Sequence, residues 1–138
     1  MVKLALYKGK GSFANAMIRW RNDSIYSHCE LIVDNVCYSS SVSDKGVRAK
    51  LIKLDPDNWD IIELPWLPAA RVLDYYEKTK GRPYGWVDLF QTQIVGRTTG
   101  DNTGDFCSEW CAAAMGLYNP QTFSPASLGE ICLWRTTT

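Results

Sequence analysis

The chain predicts an α+β fold: a small, mainly antiparallel sheet packed against helices. Short apolar stretches separated by tight-turn residues gather in the first half of the sequence, and helical spacing dominates the second half. No repeat, low-complexity tract or linker divides the 138 residues, a length that suits one compact domain over residues 1–138.

Met1 to Lys8 reads as a first strand. Gly9 to Ser12 is a turn, and Ser12 caps a helix whose apolar face is Phe13, Ala16, Met17 and Trp20. Tyr26 to Val33 is the next strand, and Asp34-Asn35 turns it into a hairpin with Val36 to Ser41. A turn over 43–46 leads into a strand from Val47 to Leu54, and a further strand runs from Trp59 to Leu64. Pro68 to Lys80 reads as a helix with proline in its first turn, and Tyr84 to Ile94 as a second helical stretch. Gly96 to Gly104 has the composition of a surface loop, placed to act as a lid or to be idle. Cys107 to Leu117 is a buried helix that Asn119-Pro120 stops. Ser124 to Leu128 opens a short turn or helix, and a strand from Ile131 to Trp134 closes the fold.

Composition narrows the function classes. Hydrophobic residues make up 46% of the chain, enough for a core, and fifteen basic residues cancel fifteen acidic ones. That balance lacks the clustered basic excess of a nucleic-acid binder, so no nucleic-acid partner is expected. No apolar run approaches the ~20 residues of a membrane span. The first eight residues are charged too early for a signal peptide, so the expected location is the cytoplasm of the producing cell, unless the protein is virion-borne or released. Five cysteines, an odd number without Cys-x-x-Cys spacing, argue against a disulfide framework or a zinc site, and no cofactor motif stands out.

The chemistry lies in two segments. His28 is the sole histidine. Strand alternation puts His28, Glu30 and Ile32 on one face and Cys29, Leu31 and Val33 on the other, the second set belonging in a core. Cys107 reads as the residue at the mouth of its helix, where unpaired N–H groups and the positive dipole end favour thiolate and hold an oxyanion. Cys111 and Cys132 read as ordinary buried cysteines, and Cys37 as an inward or edge strand residue. A cysteine nucleophile with a histidine base needs a third group to orient the imidazole. Glu30, Ser39 and Ser40 are the candidates, the first from the same strand face and the serines from the partner strand.

A histidine on an early strand and a cysteine on a late helix resemble the circularly permuted branch of the NlpC-type papain-like hydrolases. YiiX-like proteins and relatives of lecithin:retinol acyltransferase belong to that branch. Ser27-His28-Cys29-Glu30 resembles its Ser-His strand, and Tyr84-Gly85-Trp86-Val87-Asp88 its aromatic segment ahead of the nucleophile. Phe106-Cys107-Ser108-Glu109-Trp110 resembles its Cys-Ser-Glu helix start, and Ser124-Pro125-Ala126-Ser127-Leu128 its Ser/Thr-Pro-x-x-Leu segment. The resemblance implies a permuted papain-like arrangement with Cys107 as nucleophile and His28 as base. It places the third residue on the strand after the histidine, where some members have glutamate and this chain has Tyr38-Ser39-Ser40. It also suggests a phage-encoded protein.

The leading expectation is therefore a cysteine peptidase or amidase, with a peptidoglycan stem peptide first among its substrates. A lipid or ester deacylase or acyltransferase would use the same dyad, with Trp20, Trp66 and Trp86 as candidates to line an apolar groove. A non-enzymatic phage–host interaction module on this scaffold is the third.

Overall fold

The computed structural model describes residues 1–9, 25–41, 44–82 and 103–137, with 103–106 described as backbone alone. The helix expected after Ser12, the stretch from Tyr84 to Ile94, Trp20, Trp86 and most of the 96–104 loop lie outside these residues. The described elements are strands β1 (Val2–Tyr7), β2 (His28–Val33), β3 (Val36–Ser41), β4 (Gly46–Lys50) and β5 (Trp59–Leu64), then helices α1 (Ala69–Thr79), α2 (Thr103–Met115) and α3 (Pro125–Thr137). A single 3₁₀ turn, Pro120–Thr122, joins α2 to α3. The class is α+β, with one antiparallel sheet in the order β4-β3-β2-β1-β5.

The β2–β3 hairpin turns at Asp34 and Asn35, both at positive φ (50° and 68°). This is the turn hand that matches the twist of the flanking strands. The turn fixes the register Val33↔Val36 and Leu31↔Tyr38. β1 lies between β2 and β5, with Leu6 opposite Cys29 and Leu4 opposite Leu31. Alternation then sorts the sheet into two buried faces. Leu4, Leu6, Cys29, Leu31 and Val33 join the helices in the larger core. Ala5, Tyr7, Ile32, Cys37 and Trp59 form a second cluster on the other face, covered by Ile52 and Leu54.

Three expectations need correction. The strand expected from Val47 to Leu54 ends at Lys50, and Ile52 and Leu54 cover the second cluster without pairing. The helix expected to begin at Cys107 begins at Thr103 and ends at Met115. Its end is set by Gly116, which takes φ +84 while the N–H of Gly116 and that of Leu117 return to the carbonyls of Ala113 and Ala112.

The third correction is the C-terminal strand from Ile131 to Trp134, which is helix α3. Ser124 and Ser127 cap its start reciprocally: the Ser127 N–H donates to Ser124 Oγ at 3.2 Å and the Ser124 N–H to Ser127 Oγ at 2.9 Å. Pro125 occupies the first helical position, where its missing N–H costs nothing. Leu128, Gly129 and Cys132 make the buried stripe. Gly129 lets the helix lie close on β1, since a Cβ there would stand 2.7 Å from Leu6 Cδ1.

Candidate functional site

His28 opens β2 on the face of the second cluster, with its ring 6.4 Å from that of Trp59. The register that puts Cys29 in the larger core turns His28 and Glu30 to the opposite side. His28 Nε2 hydrogen-bonds Glu30 Oε2, and both side chains are fully buried. Of the three candidates for orienting the imidazole, the structure brings Glu30 to it. Ser39 instead donates its hydroxyl to the Cys29 carbonyl at 2.8 Å. The buried Ser40 hydroxyl has no hydrogen-bond partner among the described residues.

Cys107 reaches the same imidazole from α2. It interacts with His28 by charge and by hydrogen bond, and with Cys29 through hydrogen bonds to its side chain and backbone. Burial pushes the Cys107 thiol up, but Cys29 and the His28 charge outweigh it and hold the group below the ordinary thiol range. Burial pushes His28 down, but the Cys107 and Glu30 charges outweigh that and hold it above the ordinary imidazole range. The favoured state is therefore thiolate–imidazolium. The imidazolium charge then lies between the Glu30 carboxylate and the Cys107 thiolate.

The other thiols show what happens where burial dominates. Desolvation drives Cys132 to about 12 and Cys37 to about 12. Cys29 is raised by burial and by its contacts with Cys107 and Cys111, and its Sγ lies 3.7 Å from that of Cys111. The position of Cys107 within α2 corrects the expected source of its activation. It is the fifth residue of the helix, so the unbonded N–H groups of the helix start lie one turn before it. His28 and Cys29, rather than the helix mouth, account for the lowered thiol.

Three charged residues complete the site and were not legible as candidates. Arg48 of β4 grips Glu30 with both guanidinium arms, Nη1 to Oε1 at 2.7 Å and Nη2 to Oε2 at 2.6 Å. Arg48 Nε donates to Asp44 Oδ2 at 2.8 Å, and Lys50 Nζ to Asp44 Oδ1 at 3.1 Å. Ser39 pairs with Arg48 in the β3–β4 register. Its small side chain, turned to the Cys29 carbonyl, leaves the guanidinium room to cross β3. Burial pushes the Glu30 carboxyl up, but His28 and Arg48 outweigh it and hold it below its ordinary value.

Neighbouring contacts fix α2. Trp110 Nε1 donates to Thr79 Oγ1 at 2.9 Å, and Ser108 donates to the Phe123 carbonyl. Trp66, a candidate groove residue, donates to Thr136 Oγ1 at 3.1 Å and lies under Arg135 instead. Among the described residues no group of His, Cys, Asp and Glu is arranged to hold a metal ion, and no helix is long and apolar enough to cross a membrane. Comparison of the chain with family models, with curated proteins and with solved structures returned no match.

Proposed function

We propose that the protein is a cysteine hydrolase cleaving an amide bond, with a peptide of the peptidoglycan stem type as first candidate substrate. The observation that carries this reading is the buried row Glu30–His28–Cys107, in which one thiol is held low among others that burial drives high. In the proposed reaction the Cys107 thiolate attacks the carbonyl carbon and forms a C–S bond. The C–N bond then breaks as the His28 imidazolium gives its proton to the leaving amine. Neutral His28 next takes a proton from water, the hydroxyl displaces sulfur, and the acid leaves with Cys107 again a thiolate beside the His28 imidazolium. The resemblance to the permuted NlpC-type branch points the same way and supplies the choice of substrate.

Two measurements test the reading. The first is hydrolysis of a panel of muropeptides and acyl esters by the parent protein and by Cys107→Ala. Cleavage that depends on Cys107 is the expected result, and full activity in Cys107→Ala overturns the mechanism. The second is thiolate ultraviolet absorbance against pH, with Cys107→Ala as the blank. The Cys107 midpoint should lie below that of an ordinary thiol, about 8.5. A midpoint above it would leave an interaction module on a hydrolase-like scaffold as the better account.

A second reading, an ester or lipid deacylase using the same dyad, is favoured by α3. Ile131, Leu133 and Trp134 of that helix are exposed, Trp134 at 60%. Ester cleavage without peptide cleavage in the same panel selects it.

A further inference from the structure

We propose that Arg48 is a positioning residue for the Cys107–His28 pair, acting through Glu30, which it keeps ionised and fixed in the plane of its guanidinium. This rests on the hydrolase reading for its consequence in catalysis, but not for its physical test.

Glu30 is a fully buried carboxylate whose Oε2 is shared between His28 Nε2 and Arg48 Nη2. A lone buried carboxylate takes up a proton rather than stay charged. If Glu30 did so, or drew the proton from His28, the imidazole would be neutral and the Cys107 thiolate would lose its counter-charge. The two-pronged grip prevents this, because parallel N–H···O bonds fix both oxygens of the carboxylate as well as its charge. Arg48 is itself held from behind by Asp44, and Asp44 by Lys50, whose side chain is 46% exposed. The row thus alternates in sign from solvent to sulfur: Lys50, Asp44, Arg48, Glu30, His28, Cys107. Among the described residues, few groups face it. The Cys37 thiol, pushed up to about 12 by burial, is neutral beside Glu30; the Trp59 ring faces His28, and the Cys29 thiol, also raised, faces Cys107.

The experiment reads the pair without any substrate. Thiolate absorbance against pH, blanked with Cys107→Ala, reports Cys107, and the imidazole NMR signal reports His28 without ambiguity because it is the only histidine. Arg48→Gln should raise the Cys107 midpoint by about one pH unit, about tenfold less thiolate at a given pH below it. It should also lower the His28 midpoint. Arg48→Lys keeps charge without the fork and should recover part of the shift. In a Glu30→Gln background, Arg48→Gln should add nothing to the shift. Asp44→Asn, which leaves the Glu30 bonds in place, should move both midpoints in the same direction by less, and it serves if Arg48→Gln does not fold. Unchanged midpoints in folded Arg48→Gln, or in both Arg48→Lys and Asp44→Asn, overturn the proposal. A shift in Arg48→Gln with no hydrolysis by the parent protein upholds the positioning role and overturns the hydrolase reading alone.

Discussion

The two faces of β2 are equally buried and chemically opposite. Cys29, Leu31 and Val33 lie against α2 in apolar carbon and sulfur. His28 and Glu30, between and beside them in sequence, lie in a row of alternating charges that runs out to Lys50. Burial is therefore not what distinguishes a reactive thiol here. The thiols on which burial is the largest influence move up, as at Cys132 and at Cys37, where the Glu30 carboxylate adds to it, and the thiol that meets the His28 imidazolium moves down. Cys107 sits where the row of charges ends against the core.

The sharpest way to break this contrast is to unbalance the charged face. Glu30→Gln keeps the shape and removes the charge, leaving Arg48 and His28 without the carboxylate between them. Removing one partner of a buried pair costs about 3–5 kcal/mol, so chemical denaturation should show a loss in that range. The pH dependence has a definite sign. The Glu30 carboxyl sits below its ordinary value when folded. Its contribution is thus present above the ordinary carboxylate value and lost as pH falls through the folded one. Glu30→Gln should flatten the acid limb of the stability profile, and an acid limb identical to the parent's would count against the ionised pair.

Leu31→Ala makes the matching change on the apolar face. Leu31 is fully buried, and a Leu→Ala truncation in a core costs about 2–5 kcal/mol, depending on how far the cavity collapses. A value near the lower half, about 3 kcal/mol, is expected, since the neighbours Cys29 and Val33 are small. The two variants are separated by the Cys107 titration, which should be unmoved in Leu31→Ala and shifted upward in Glu30→Gln. Equal shifts would mean that packing, rather than charge, sets the thiol.

The strand face was legible because alternation needs only neighbouring residues. A period of two puts Glu30 beside His28 without knowledge of any other strand. Arg48 was not legible, since its contact with Glu30 crosses β3 and depends on two registers set by turns. The serines on β3 looked like substitutes for a third catalytic group. In the fold, Ser39 serves as the gap through which that contact passes. The last helix departs from the expected strand for a different reason. Ile131 to Trp134 is a short apolar run, and such runs do not distinguish strand from helix. The deciding signal was upstream, in the spacing of Ser124 and Ser127 around Pro125. Thr103 and Gly104 read as loop because glycine and threonine are weak helix formers, yet they form the first turn of α2.

The smallest expected effect lies where the two faces touch. Cys29 belongs to the apolar face but also hydrogen-bonds Cys107 through side chain and backbone. Cys29→Ala deletes the side-chain bond and keeps the backbone one, at a stability cost of about 1 kcal/mol. His28→Gln deletes the counter-charge instead. If the charged face sets the thiol, His28→Gln should carry Cys107 up toward the ordinary thiol range, since only the Cys29 hydrogen bonds then oppose burial. Cys29→Ala should raise it by less than one unit, about less than tenfold in thiolate at a given pH below the midpoint. Thiolate absorbance against pH measures both. A larger shift in Cys29→Ala than in His28→Gln would reverse the assignment, making a thiol–thiolate hydrogen bond the main support of the Cys107 anion and leaving the imidazole as its proton donor alone.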